Sequence, residues 1–409
     1  MRVIAIAAAA DPAATAWADV VTDWNAKAAE ITAAPGLPFP PAYFAYRAMA
    51  IVQVAVFEGV NAVGVQYPPL FITLDRVPNA SIEAATATAA RTALTKLIPA
   101  QQAAIEAAYT AELAKVPPGI GKERGIALGE RAATAVLALR ADDGALAVDA
   151  YRPHTTPGAY VPTTIPVPPH WGKRKPWVMA SGDQFRPNAP PLLGGELWAR
   201  DYKEIKTLGA RNSTQRSSEQ TDIARFWEAA IPAIYFNAVR SIATLPGRSL
   251  TANARLMALV AVAMDDALIA IIDAKYAYGF WRPITAIRNG DIDGNESTER
   301  DASWLPLIDT PMHPEYPCAH CILSAAVGTI LAAEAGSGSL KMHGTSPTAP
   351  GVTRHWSSAE DFMEEVRLAR IYAGVHYRNS TEVGSSMGQN LGQSVVRRFM
   401  PPTNSIGSR

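Results

Sequence analysis

The sequence predicts an all-α protein, two packed helical-bundle halves with a long proline-rich irregular strap. Three observations predict this. Apolar residues recur three and four apart through most segments, the spacing of one helix face, with no long alternating strand pattern and no fixed-period repeat. Alanine, the strongest helix former, is abundant. The helical texture stops for one long stretch, 151–195, where ten prolines forbid long helices, and then resumes.

Taken in order, 18–33 suits an amphipathic helix, and 40–63 a second with prolines at its start. The next, 81–98, opens on Ser81 as N-cap with Glu83 in its first turn. Two more follow at 101–115 and 120–140, so this half reads as helices packed on helices. The strap at 151–195 is expected to wrap the surface, since loops of that length are functional or connect larger units. Helices resume at 199–208, 217–230, 233–244 and 251–274, and after a loop-rich region at 318–333, 358–376 and 381–399.

With 409 residues the chain can bury a large core as one large domain or two ordinary ones. It carries 37 basic and 37 acidic residues, with 48 % hydrophobic content. That balance offers no basic footprint for nucleic acid and no polybasic membrane signal. No stretch supplies the roughly 18 uncharged apolar residues of a membrane span. The best candidate, LMALVAVAMDDALIAIIDA, is interrupted by Asp265 and Asp266 and reads as a buried core helix. The first residues, 1–18, have the parts of a secretory signal: Arg2, an apolar run from Val3 to Ala10, and the small-residue pattern Ala16-Trp17-Ala18. If they act as one, the protein is periplasmic or secreted and its two cysteines can pair; otherwise it is cytoplasmic and they are thiols.

Those cysteines lie in PEYPCAHC, 314–321. A turn ending in proline and opening into a helix presents free backbone N–H groups, a seat for an oxyanion. Cys318 and Ala319 would supply amides, with His320 in the first turn to trade protons. Upstream, Lys275 and Arg282 stand seven apart, two helical turns along one helix or flanking a bend, and can converge on one anion. Tyr276, Tyr278, Phe280 and Trp281 lie between them. Downstream, Arg370 and His376 are six apart, at the end of one helix and before Thr381 and Glu382 begin another. Thiol chemistry fits poorly, because C-x-x-C of the thioredoxin kind needs a βαβ setting. Zinc needs two further ligands, with only His313 and His320 at hand, and haem attachment needs histidine where Ile322 stands. GDIDGNESTER places its glycine too early for a calcium loop.

Together the three stretches resemble the signature of the vanadium-dependent haloperoxidase and type 2 phosphatidic acid phosphatase superfamily: K-x6-R-P, then P-S-G-H, then S-R-x5-H-x3-D. Lys275, Arg282 and Pro283 match fully; Pro317 and His320 match the second motif, Arg370 and His376 the third. HWGKRKPW in the strap resembles the soluble bacterial haloperoxidase-like members. The chain departs at Cys318 and Ala319, where the signature has serine and glycine, and at Ser380, where it has an acid.

The resemblance implies an N-terminal helical part, 19–245, and a catalytic helical part, 246–400. It implies that Lys275, Arg282 and Arg370 hold the oxygens of vanadate or phosphate, helped by Cys318 and Ala319. His376 would bond vanadium or attack phosphorus, and His320 would be the acid–base group. His313, Trp281 and Phe280 would shape the pocket. With Ser380 in place of the acid, Asn379 or Glu382 would be left to orient His376. The implied function is a vanadate-dependent haloperoxidase that oxidises halide with hydrogen peroxide and passes the halogen to an organic acceptor. The alternatives are a histidine-nucleophile acid phosphatase acting on phosphate esters, and an oxyanion-binding pseudoenzyme. Vanadate is the expected cofactor, without haem or nucleotide; the partners are small molecules, and a homo-oligomer is compatible with the sequence.

Overall fold

The computed structural model describes residues 19–148, 151–229, 231–336, 338 and 340–400. The signal-like segment with Ala16-Trp17-Ala18 lies outside the described residues. The first helix, α1 (Val20–Ala33), starts from a capping box in which Asp19 accepts the Thr22 amide and Thr22 answers the Asp19 amide. α2 (Pro41–Gly64) opens on proline, and α3 (Ile82–Leu97) is capped by Ser81 as its sequence predicts. α4 (Gln102–Lys115) and α5 (Ile120–Leu139) complete the first bundle. α5 lies tight on α3: a Cβ at Gly125 or Gly129 would come within 2.5 Å of the Ser81 or Ala85 carbonyl oxygen. By length and composition α2 could cross a membrane, yet 89 % of its apolar window is buried inside the fold, so it is a core helix.

The strap follows, with only a short 3-10 turn at Pro169–Lys173. After it come α6 (Glu196–Leu208), α7 (Ser218–Phe226), α8 (Pro232–Ala243) and the long α9 (Leu250–Tyr278). α9 is buried nearly throughout and packs on α2 in one half and α11 in the other. It bridges the two halves. Asp265 and Asp266 sit wholly buried within its apolar run because they receive the strap. Arg174 bonds Asp265 at 2.8 Å and Asp143 at 2.9 Å, and the Trp177 indole donates to Asp265 at 2.9 Å. Asp266 accepts the amides of Trp177, Val178 and Met179 at 2.7, 2.8 and 3.1 Å.

Burial outweighs those three amides and pushes the Asp266 carboxyl up to about 6, against 3.8 for an ordinary aspartate. The fold therefore favours the protonated form. This group's contribution to stability is complete below the unfolded-state value and is lost as pH rises through about 6, a change of roughly 3 kcal/mol. Asp266→Asn should remove that slope. Urea unfolding of both proteins at several pH values checks this, and parallel stability curves would refute it.

The second bundle contains α10 (Pro283–Arg288), α11 (Ala319–Ala335), α12 (Ala359–Tyr372) and α13 (Arg378–Phe399), with a hairpin of β1 (Met342–Ser346) and β2 (Ala349–Trp356) between α11 and α12. α13 lies close along α11 because Gly384, Gly388 and Gly392 line its contact face. A Cβ at Gly384 would stand 2.6 Å from the Cys318 carbonyl oxygen, and one at Gly388 2.3 Å from that of Ile322. These glycines bring the start of α13 against the start of α11. The all-α class holds, with local departures: α7 stops at Phe226 and α12 at Tyr372, α9 runs on to Tyr278, and neither α10 nor the hairpin was expected. In β1 only Met342 marks the buried face apolar; Gly344 and Ser346 share it, so a period-two pattern is hard to see.

Candidate functional site

Lys275 stands in the last turn of α9, and Gly279, left-handed at φ 57°, closes that helix. Arg282 occupies the N-cap position of α10, so the two cations flank a bend. The strap holds this bend: Tyr160 N donates to Gly279 O at 2.7 Å and Trp281 N to Gly158 O at 2.9 Å. Below it lies the turn that begins PEYPCAHC. Lys275 Nζ donates to the carbonyls of Pro314 and Glu315, each at 2.8 Å, and of Pro317. Glu315 N donates to Phe280 O at 2.8 Å. Thus the lysine's three N–H bonds brace the turn that delivers α11; holding an oxyanion would require it to release one.

A cavity of about 270 Å³ opens at the start of α11. His313, Ala319, His320, Arg370 and His376 line it together with the half-buried Glu228 and the exposed Asp309, and Tyr43, Tyr46, Leu268, Ile308 and Leu323 form much of the rest. Residues as distant in sequence as Tyr43 and His376 thus share one cavity. Arg282 lies just behind it. Its Nη1 donates to Val375 O at 2.8 Å and reaches His376 Nε2 at 3.3 Å, while Nη2 meets His313 Nδ1 at 2.9 Å. Arg370 Nη1 donates to Trp227 O at 2.7 Å, but its buried Nε has no hydrogen-bond partner. The amides of Ala319 and His320 head α11, where a helix offers its own N–H groups no acceptor.

The electrostatics call for an anion. Lys275, Arg282 and Arg370 are buried, and burial pulls all three below their usual ranges, Arg370 to about 10. Among them sits one buried carboxylate, Glu315; burial pushes it up to about 7, and Lys275 and Arg282 only partly offset this. Burial together with the nearby cations also holds His313, His320 and His376 well below the usual imidazole range, so all three rings are neutral. A neutral ring keeps a lone pair for a metal, a phosphorus atom or a proton. An oxyanion would lower the cost of the buried cations and take up the unpaired Arg370 Nε and the two helix amides. The donor set therefore fits vanadate or phosphate.

Of the residues expected at the site, the structure brings His313, Ala319, His320, Arg370 and His376 onto the cavity, with Arg282 and Lys275 behind. His313 is buried, not a loop histidine in solvent. Three expectations need correction. Cys318 supplies neither amide nor thiol: its N–H donates to Ser380 O at 3.2 Å, and its sulfur is joined to Cys321 in a disulfide. It serves as the N-cap of α11, accepting from Cys321 N at 3.3 Å. Phe280 and Trp281 face away from the cavity, in an aromatic cluster with Trp198 and Tyr377; Trp281 stacks on Trp198 at 5.9 Å. Asn379 does not orient His376: the ring nitrogens meet Glu315, Ser380 and Arg282, while the Asn379 backbone N–H donates to Asp201 Oδ2 at 2.7 Å. The group on the His376 ring is Glu315, whose Oε1 meets Nδ1 at 2.7 Å. Sequence reading passed over it because its partner is 61 residues away. The signal available was the pairing of an extra acid in the turn with a missing acid at 380.

Residues 255–405 match the family described as the VCPO second helical-bundle domain. A vanadium chloroperoxidase of Curvularia inaequalis is 27 % identical over 358 residues, 64 % of this chain and 58 % of its own length. The chain thus spans less than two thirds of that relative. Among solved structures, a bacterial vanadium-dependent iodoperoxidase is similar with a TM-score of 0.77 and 24 % identity, covering 93 % of this chain and 96 % of its own. A holo-type bacterial vanadium-dependent chloroperoxidase gives 0.72 at 17 % identity, covering 89 % and 94 %. At these identities the structures establish the shared fold.

Proposed function

With a C-terminal bundle of the vanadium chloroperoxidase type as the premise, we propose that this chain is a vanadate-dependent haloperoxidase, oxidising halide with hydrogen peroxide. One observation carries the reading: a neutral imidazole, His376, lines a cavity beside three buried cations that outnumber the one buried carboxylate among them, Glu315. Arg370 Nε and the Ala319 and His320 amides would hold vanadate oxygens, with Arg282 and Lys275 supplying charge from behind. His376 Nε2 would hold the metal. When bound, vanadate supplies the Lewis acidity that activates peroxide toward halide.

This chain's own residues do the rest. His320, neutral and in the first turn of α11, accepts a proton from incoming peroxide and returns it to the leaving oxygen. Leu268, Leu323, Tyr43 and Tyr46 line the cavity and exclude bulk water, which strengthens each charge interaction within it. Incubation with vanadate, peroxide and bromide or iodide tests the reading. Vanadate-dependent halogenation of an organic acceptor supports it, and its absence with both halides refutes it. His320→Ala should cut turnover by roughly 10²–10⁴-fold while vanadate affinity moves far less; equal losses in both would contradict the proton-transfer role.

The same donor set suits a phosphoryl group, with Nε2 as nucleophile, because vanadate and phosphate present similar oxygens. Release of phosphate from a small monoester, with a labelled histidine trapped by acid quench, would favour a phosphatase instead.

A further inference from the structure

We propose that Glu315 is the positioning residue of His376: its carboxylate fixes the ring as the Nδ1–H tautomer and so leaves the lone pair on Nε2. It thereby replaces the acid that the family signature places at 380. The proposal rests on the reading of His376 as the group that meets the oxyanion.

Two neighbours of the ring demand the same tautomer. Glu315 Oε1, 2.7 Å from Nδ1, accepts a proton held there. Arg282 Nη1, 3.3 Å from Nε2, can only donate, so Nε2 must carry the lone pair. The hydroxyl now at 380 is a poor substitute for a carboxylate: Ser380 Oγ stands 3.4 Å from Nδ1.

Glu315 is also built to be rigid. Its side chain is wholly buried, and its backbone is fixed at both ends, by N–H to Phe280 O and by its carbonyl to Lys275 Nζ, each at 2.8 Å. Tyr377 N donates to the same Oε1 at 3.1 Å, so the oxygen is held between the ring and the start of α13. A carboxylate kept only to balance nearby cations would bond them. Instead this one bonds the imidazole and an amide, while Lys275 and Arg282 bond backbone carbonyls around it. Outer groups that orient a ligating histidine in this way typically carry 10–100-fold in metal affinity.

The test compares four full-length proteins: wild type, Glu315→Ala, Glu315→Gln, and Glu315→Ala combined with Ser380→Asp. The readouts are the ¹⁵N shifts of the His376 ring without vanadate, and the vanadate dissociation constant by calorimetry. Wild type should show protonated Nδ1 and bare Nε2. Glu315→Ala should lose that signature and weaken vanadate binding roughly 10–100-fold. Glu315→Gln keeps an acceptor without its charge and should fall between. Ser380→Asp should restore both readouts by presenting a carboxylate to the same nitrogen, a rescue that a packing role for Glu315 would not allow. Should Glu315→Ala fail to fold, Glu315→Gln with and without Ser380→Asp makes the same comparison. Unchanged affinity and tautomer in Glu315→Ala, or no rescue, would overturn the proposal. If wild type binds no vanadate the haloperoxidase reading fails, and the ring shifts alone then decide whether Glu315 sets the tautomer.

Discussion

Replacing His376 with alanine is expected to abolish vanadate-dependent halide oxidation, with a loss on the order of 10³-fold, equivalent to about 4 kcal/mol. The imidazole supplies the neutral nitrogen that would bond the metal: Glu315 meets Nδ1, and Arg282 Nη1, 3.3 Å from Nε2, would give that nitrogen up to it. Its removal takes away the bond and leaves a buried carboxylate without its ring partner. The loss should appear in vanadate affinity as well as turnover, which separates it from His320→Ala. Thermal melting of the variant excludes a trivial loss of fold. Retention of more than a tenth of wild-type turnover at saturating vanadate would contradict the role.

Arg174→Ala is expected to give the largest loss of stability, roughly 3–5 kcal/mol. The guanidinium is fully buried, bridges Asp143 and Asp265, and lies over the Trp171 ring at 4.4 Å. Burial alone would raise the Asp143 carboxyl, but Arg174 and Arg47 outweigh it and bring it down to about 2. Truncation leaves the Asp265 carboxylate buried without its ion-pair partner and removes the pin between strap and α9. Since the strap also holds the bend before Arg282, activity should fall with stability. Arg174→Lys should recover part of the loss, limited by its lack of a two-pronged fork. Urea unfolding measures this, and a change below about 1 kcal/mol would show that the network is not what secures the strap.

Much of this architecture could be read from the chain. Helices with a plain apolar stripe and a capping residue, such as α3 behind Ser81, came out within a residue or two, because local chemistry fixes them. The strap was legible because ten closely spaced prolines leave no room for a helix interior. Asp265 and Asp266 were recognised as breaking an apolar run, but their purpose depends on Arg174 and Trp177, about 90 residues earlier. His320, His376 and Arg370 stand in the motifs, whereas His313 came only from the family resemblance. Less accessible was how donors are spent: a cation in a motif reads as an anion ligand, while in the fold Lys275 first satisfies three carbonyls. Phe280 and Trp281 were misassigned for a related reason, since an aromatic beside a charged motif looks alike whether it faces a cavity or Trp198. Glu315 illustrates the limit: its importance arises only when α11 and α13 meet at Gly384.

A calorimetric titration of the purified chain with vanadate, repeated on His376→Ala, bears most directly on the central reading that this cavity is an oxyanion site organised around His376. The reading predicts one saturable site in the wild type, competed by phosphate and lost in the variant. Absence of saturable binding in the wild type, or equal binding in both proteins, would contradict it.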